Sequence, residues 1–247
     1  MNGYGRGILD LPPVVKNIIM INVLMLLAYY AAVSVFGVDL NSLLGLYFPA
    51  SGQFKPFQIV THMFMHGGFL HLFFNMYALF IFGPILESVW GPKRFLIYYM
   101  VCGLGAALTH ETVNFFQYSH LIQNISPEDL RLVIRQGTEY FHQGKVFTDM
   151  DMQNLQLLLN TPTVGASGAI FGVLLAFGVL FPNTQLLLLI PPMPIKAKYL
   201  VIGYGALELI LAVTQPGSNI AHAAHLGGMI FGYLLIRYWR KTTNTLY

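Results

Sequence analysis

The chain has 247 residues, of which 55% are hydrophobic and only 9% are charged. Soluble domains carry roughly 25% charged residues, so this composition excludes an ordinary soluble domain and indicates a membrane protein. The formal net charge of +3 is dispersed along the chain, which excludes a continuous basic stripe that would bind nucleic acid.

Six apolar stretches predict membrane-spanning helices. They lie at residues 15–36, 69–88, 94–113, 167–182, 198–214 and 221–238. Because a spanning helix needs about 20 residues, the length fits one six-helix bundle over residues 1–247, and the predicted fold class is an all-α membrane protein. The first stretch is longer than the apolar core of a signal peptide, which has about 7–15 residues, so we expect it to be a retained anchor.

Basic residues in the connections predict how the bundle is oriented, since short cytoplasmic loops are enriched in Lys and Arg. The segments that alternate onto one face contain Arg6, Lys16, Lys93, Arg94, Lys196, Lys198, Arg237, Arg240 and Lys241. The opposite face receives basic and acidic residues mixed together. Both termini are therefore predicted to be cytoplasmic.

The two long connections are predicted on the exoplasmic side. Residues 37–68 combine Gly, Pro, aromatic and scattered apolar residues, which is typical of a loop partly embedded in the membrane interface. Residues 114–160 are the polar part of the chain, and signals near Ser126 and Thr148 predict two short amphipathic helices at the membrane surface. A mobile insertion with no role in chemistry is the other interpretation of this segment.

A serine opens the fourth apolar stretch in the run Gly165-Ala166-Ser167-Gly168. Small neighbours leave its hydroxyl uncrowded, and the free N–H groups of a first helical turn can bind an oxyanion. The competing interpretation is packing, because Gly168-x-x-x-Gly172 is a pattern that lets two membrane helices approach closely.

A histidine lies on the most closely packing face of the sixth stretch. Ala221, His225, Gly228 and Gly232 recur at helical spacing, so His225 faces the neighbour that the glycines allow to approach. A serine and an imidazole within hydrogen-bond distance form an activated nucleophile. No acid stands close to either residue in sequence, which predicts a dyad. Glu208 is interpreted as a buried structural hydrogen-bonding group, with orientation of a partner as the alternative.

The second apolar stretch contributes His71 and Asn75, four residues apart and therefore on one helix face. Both side chains can donate hydrogen bonds to a developing oxyanion. Metal binding by His62, His66 and His71 is the alternative. There is no His-Glu-x-x-His pattern and no carboxylate among these histidines, so we predict no metal site.

Three motifs, in chain order, together resemble a known family. They are His71-x-x-x-Asn75, Gly165-Ala166-Ser167-Gly168, and Ala224-His225 followed by Gly228-x-x-x-Gly232. The chain resembles the rhomboid intramembrane serine proteases in their six-span bacterial form, over about residues 15–238 apart from the insertion. Glu87 and Gly91 also resemble the family's pattern at the end of the second span.

The resemblance implies a role for each site residue. Ser167 is expected to be the nucleophile, and His225 the general base and later the general acid. His71 and Asn75, with the Ser167 amide, are expected to bind the oxyanion. His66 is expected to be a structural partner that ties the embedded loop to the core.

The resemblance also implies a setting for the chemistry. The embedded loop corresponds to residues 37–68, and a mobile gate and cap correspond to the fifth span and residues 215–220. We expect no cofactor, a multi-pass location in a bacterial inner membrane, and single-span or other membrane proteins as substrates. No oligomeric state is implied.

Two positions depart from the family's pattern. A Trp-Arg pair is common in the embedded loop where this chain has Phe57-Gln58, and Phe171 replaces a tyrosine that often stacks on the histidine. Neither change removes a catalytic atom, so we expect the two departures to affect stability or rate and not the presence of activity. Gly165 and Gly228 keep the expected small residues beside the serine and the histidine.

Two rival functions follow from the same residues. A noncatalytic rhomboid-like protein that binds membrane clients would be expected to lack the serine or the histidine, and this chain keeps both. A channel or transporter needs polar groups across the whole bilayer, whereas the polar groups here cluster toward one end of the helices. The sequence therefore favours the protease.

Overall fold

The computed structural model describes residues 11–187, 193–214 and 221–242, and the described part of the chain is mostly α-helical. Its helices are α1 (Pro13–Phe36), α2 (Leu40–Leu44), α3 (Gln58–Thr61), α4 (Phe69–Asn124), α5 (Pro127–His142), α6 (Met150–Asn160), α7 (Ser167–Leu180), α8 (Ala197–Thr214) and α9 (His222–Thr242). An antiparallel hairpin of β1 (Gln185–Leu187) and β2 (Pro194–Lys196) connects α7 to α8. The predicted all-α membrane fold class is confirmed.

Helix α4 contains the predicted second and third spans. Its backbone breaks at Gly91, where φ is 77°, and Pro92 follows. A left-handed glycine before a proline ends one helix and starts another, because proline can donate no backbone hydrogen bond to the preceding turn. The second half of α4 runs to Asn124, past the predicted end at residue 113. No helix-breaking residue occurs until Pro127, so the polar sequence continues the helix.

Three helices of the described chain are long and apolar enough to cross a membrane, namely α1, α4 and α8. Helix α4 has 56 residues, which at about 1.5 Å per residue is enough for two crossings. Helix α7 is apolar but has only 14 residues. The count of six spans therefore stays a prediction.

The insertion forms two helices, as predicted. Ser126 caps α5 by accepting a hydrogen bond from the Asp129 amide at 3.1 Å. Helix α6 is capped by Asp149, one residue beyond the predicted start at Thr148. A carboxylate at this position accepts from two backbone amides, which makes it a strong cap.

The insertion is attached to the loop over residues 37–68. The Ser51 hydroxyl donates to the Leu159 carbonyl at 2.6 Å, and Gln53 Nε2 donates to Asn160 Oδ1 at 3.1 Å. Gln58 secures the loop from within. Its buried side chain accepts from the Lys55 amide at 2.9 Å and lies 3.2 Å from two loop carbonyls. The departure at Phe57-Gln58 thus supplies its own anchor.

Glu87 joins the first helix to α4. Its buried carboxylate accepts hydrogen bonds from the amides of Val14 and Val15, at 3.0 and 2.8 Å. These amides belong to the first turn of α1, where no carbonyl of the helix is available to accept from them. A negative charge there also interacts favourably with the positive end of the helix dipole.

Glycines bring α4, α7 and α9 into backbone contact. A Cβ at Gly168 would lie 2.3 Å from Ala106 Cβ, and one at Gly172 would lie 2.4 Å from Cys102 Sγ. A Cβ at Gly228 would lie 1.9 Å from the Gly168 carbonyl oxygen. The prediction that small residues form the packing face of α9 is confirmed, and this contact sets the distance between Ser167 and His225.

The Gly228→Ala variant should therefore be strongly destabilised. Overpacking typically costs 1–3 kcal/mol, and about 3 kcal/mol or more is expected here because the obstacle is backbone. The measurement is the thermal unfolding midpoint in detergent. Gly203→Ala on α8 is the matched control, since nothing lies within 4 Å of an added Cβ there. A Gly228→Ala protein as stable as Gly203→Ala would contradict this packing.

Candidate active site

Ser167 is placed by an unusual backbone conformation just before it. Gly165 has φ 136°, and a Cβ there would lie 2.9 Å from both Cε1 and Nε2 of His71. The same atom would lie 3.6 Å from Ser167 Oγ. Only glycine lets the chain pass between these two side chains, and helix α7 then begins at Ser167 itself.

Ser167 and His225 are in contact at the starts of α7 and α9. His225 Nε2 lies 2.8 Å from Ser167 Oγ, which is a hydrogen-bond distance. His225 is buried, while Ser167 remains partly exposed. The hydroxyl is thus bonded to an imidazole, on a residue that is not fully enclosed.

Phe171 holds the imidazole from one side. Its ring lies parallel to that of His225, with centroids 4.2 Å apart and an angle of 8° between the planes. The ring of Tyr204, on α8, packs edge-on against Phe171, with the ring centroids 6.2 Å apart. The stacking needs only an aromatic face, so phenylalanine can provide it without a hydroxyl.

His71 and Asn75 lie in the first two turns of α4, and His71 is close to Gly165, two residues before the serine. The Gly67 amide donates to His71 Nδ1 at 3.3 Å, which leaves the ring proton on Nε2, the atom near Gly165. Asn75 is 6% exposed, and its Nδ2 has no hydrogen-bond partner among the described residues. Asn75 Nδ2 is thus an enclosed donor without a partner there, and His71 Nε2 is a second donor beside Gly165.

His66 lies at the join between the loop and α4. Its ring is buried against His71, with centroids 5.0 Å apart, and its carbonyl accepts from Asn41 Nδ2 at 3.2 Å. Burial, reinforced by the neighbouring His71, lowers the pKa of His66 to about 3. The ring is therefore neutral at physiological pH and can pack as an uncharged group.

Glu208 lies closer to the site than the sequence analysis anticipated. Its Oε2 is 2.6 Å from His222 Nδ1 and 3.0 Å from His225 Nδ1. The prediction of a dyad rested on the absence of an acid nearby in sequence, and sequence distance does not limit contacts between neighbouring helices; orientation of a partner was the alternative interpretation of Glu208. Glu208 lies about two turns before the end of α8, and His222 opens α9.

These three side chains are also a possible metal-ligand group. One ligand atom from each of Glu208, His222 and His225 lies within 4.8 Å of the others. The histidines considered from sequence, His62, His66 and His71, form no such group within the described residues.

The predicted cap at 215–220 lies outside the described residues.

Comparison with known proteins decides the family. The sequence model described as "Rhomboid domain" matches residues 53–242, which is most of the chain. The chain belongs to the rhomboid family. Rhomboid proteins are multi-pass membrane proteins and typically intramembrane serine proteases.

Three relatives illustrate the range of similar rhomboid proteins. Rhomboid protein 1 of Saccharomyces cerevisiae mitochondria is 28% identical over 75% of this chain, and rhomboid protease AarA of Providencia stuartii is 30% identical over 70%. The human mitochondrial presenilin-associated rhomboid-like protein is 27% identical over 71%. The matched segments span 42%, 52% and 36% of these relatives' own lengths.

Proposed function

We propose that this rhomboid protein is an intramembrane serine endopeptidase that hydrolyses peptide bonds in or near the transmembrane segments of other membrane proteins. Ser167 is the nucleophile and His225 its general base. The observation that supports this best is the 2.8 Å contact between Ser167 Oγ and His225 Nε2. Relatives that carry the name protease, such as AarA, support the reaction class.

The reaction follows from the positions of these atoms. His225 Nε2 takes the proton of Ser167 Oγ as the oxygen attacks the carbonyl carbon. The resulting oxyanion accepts hydrogen bonds from the Ser167 amide, His71 Nε2–H and Asn75 Nδ2. His225 then gives its proton to the leaving amine, and an acyl-enzyme remains. Water, deprotonated by His225, releases the carboxyl product and restores the serine.

Substrate choice follows from the membrane setting. A spanning helix satisfies its own backbone groups, so an intact helix cannot offer its carbonyl to Ser167. A substrate segment must unwind near the membrane surface, which small or helix-breaking residues favour. Single-span membrane proteins with such a segment are the expected class of substrate.

The test is cleavage of a single-span substrate by the purified protein in detergent, read on a gel. The wild-type protein should release a discrete fragment, and Ser167→Ala should release none. Cleavage by both proteins would identify a contaminating protease. Binding without cleavage by the wild-type protein would favour the noncatalytic binder of membrane clients.

We also propose that residues 1–247 form one membrane domain of the bacterial inner membrane, with cytoplasmic termini and the 114–160 insertion outside. Ser167 and His71 then lie near the exoplasmic ends of their helices, with His225 at the same depth. This placement follows from counting spans and placing Lys and Arg. The insertion lies on the same side of the membrane as these three residues.

A thiol-labelling experiment tests this orientation. A cysteine replacing exposed Glu139 should react with an impermeant reagent in intact cells, and one replacing Thr243 should react only after the membrane is opened. The unmodified chain is the blank, because its one cysteine, Cys102, is fully buried. The reverse labelling pattern would place the site at the cytoplasmic face.

A further inference from the structure

Glu208 is a buried carboxylate in the largely apolar helix α8. The buried residues of α8 are Ala197, Val201 and Glu208, while its large apolar side chains face outward. A carboxylate inside a membrane protein is costly unless it is paired. No Lys or Arg pairs with Glu208 in the described part of the chain, and its ion-pair partners there are His222 and His225. The histidines are therefore the reason that the acid can be buried.

The two contacts differ in kind. The 2.6 Å contact with His222 Nδ1 has hydrogen-bond geometry. The 3.0 Å contact with His225 Nδ1 does not meet that geometry, and this nitrogen has no hydrogen-bond partner among the described residues. His222 thus holds the carboxylate in place, and His225 Nδ1 faces the same oxygen at ion-pair distance.

Direct contact fits these distances better than a bound metal ion. Zinc bonds of about 2.0–2.2 Å in tetrahedral geometry would hold the ligand atoms about 3.3–3.6 Å apart. The Glu208 and His222 atoms are 2.6 Å apart, which is the distance of a short charge-assisted hydrogen bond. The Glu208–His222 pair is therefore a direct hydrogen bond in this structure.

We propose that Glu208 is a positioning residue that completes a Ser167–His225–Glu208 arrangement, with His222 holding the carboxylate. The negative charge beside Nδ1 keeps the ring proton on that nitrogen, so Nε2 stays free to accept from Ser167 Oγ. It also stabilises the imidazolium that forms when the serine proton is taken. This inference rests on the proposed protease function.

Ser167, His225 and Glu208 lie on three different helices. Ser167 begins α7 and His225 lies on α9, whereas Glu208 is carried by α8. Movement of α8 away from α9 would remove the charge from His225, and it would also withdraw Tyr204 from Phe171. The reactivity of Ser167 is thereby linked to the packing of α8.

The Glu208→Gln variant tests this role, since it removes the charge and keeps the size. We expect kcat to fall on the order of 100-fold with KM within about twofold, because the charge matters once the imidazolium forms. Labelling of Ser167 by a fluorophosphonate should slow by a similar factor per folded molecule. Glu208→Asp should recover part of the rate. Adding His222→Ala to Glu208→Gln should cause no further loss.

Glu111→Gln is the matched control, because Glu111 is a half-buried carboxylate of α4 whose partner is Asn114. It should keep the wild-type kcat. Wild-type kcat and labelling in Glu208→Gln, or a loss equal to its unfolded fraction, would overturn the inference. So would a wild-type rate that EDTA removes and zinc restores. Failure of the protease proposal is distinct, since the wild-type protein would then neither cleave nor be labelled.

Discussion

Replacing Ser167 or His225 by alanine is expected to abolish proteolysis while leaving expression and thermal stability nearly unchanged. Each residue supplies one half of a single proton transfer, so either loss removes the activated nucleophile. For the same reason the double variant should be no worse than the single variants, because residues that act as one unit are not additive. The measurement is kcat on a single-span substrate in detergent, beside the unfolding midpoint of each variant.

His222→Ala is the informative neighbour in this series. His222 contacts Glu208 and not Ser167, so its loss should lower the rate less than the loss of His225. A His225→Ala enzyme with near-normal turnover would contradict the assignment of the base. A loss on His222→Ala equal to that on His225→Ala would move the assignment toward His222.

Asn75→Ala is expected to lower turnover by about 100- to 1,000-fold, which is the typical effect of removing one oxyanion donor. Activity should remain measurable, since His71 and the Ser167 amide still donate. The loss should appear in kcat, with KM little changed, because the oxyanion exists only after attack. Steady-state kinetics with purified protein checks this split.

Asn22→Ala is the control for removing a buried amide. Asn22 is fully buried in α1, and its Nδ2 donates to the Ile18 carbonyl at 2.8 Å. This variant should affect stability and leave turnover of the folded fraction unchanged. If Asn75→Ala instead unfolds the protein and the surviving fraction has full activity, Asn75 is a structural residue.

Much of the fold followed from composition and small residues. Apolar stretches of spanning length placed α1, α4 and α8, and the break at Gly91 lies in the predicted gap between the second and third stretches. The closest helix contact followed from the spacing of glycines on α9. These features are local, since they depend on side-chain size and hydropathy within one segment.

Features that depend on packing between segments were not predictable in the same way. Glu208 reaches His222 and His225 only because α8 packs beside α9, and no spacing within either helix encodes that distance. The extension of α4 to Asn124 depended on the absence of a helix breaker, while the sequence analysis followed hydropathy. Gln58 was noted as a departure, and its anchoring bonds appear only once the loop is folded.

Covalent labelling tests the central claim most directly, namely that His225 activates Ser167 as a nucleophile. The purified protein is treated with a fluorophosphonate and digested, and the adduct is located by mass spectrometry. We expect the adduct on Ser167 in the wild-type protein, with labelling slowed to the background rate in His225→Ala. An unlabelled Ser167, or equal labelling in both proteins, would contradict the account.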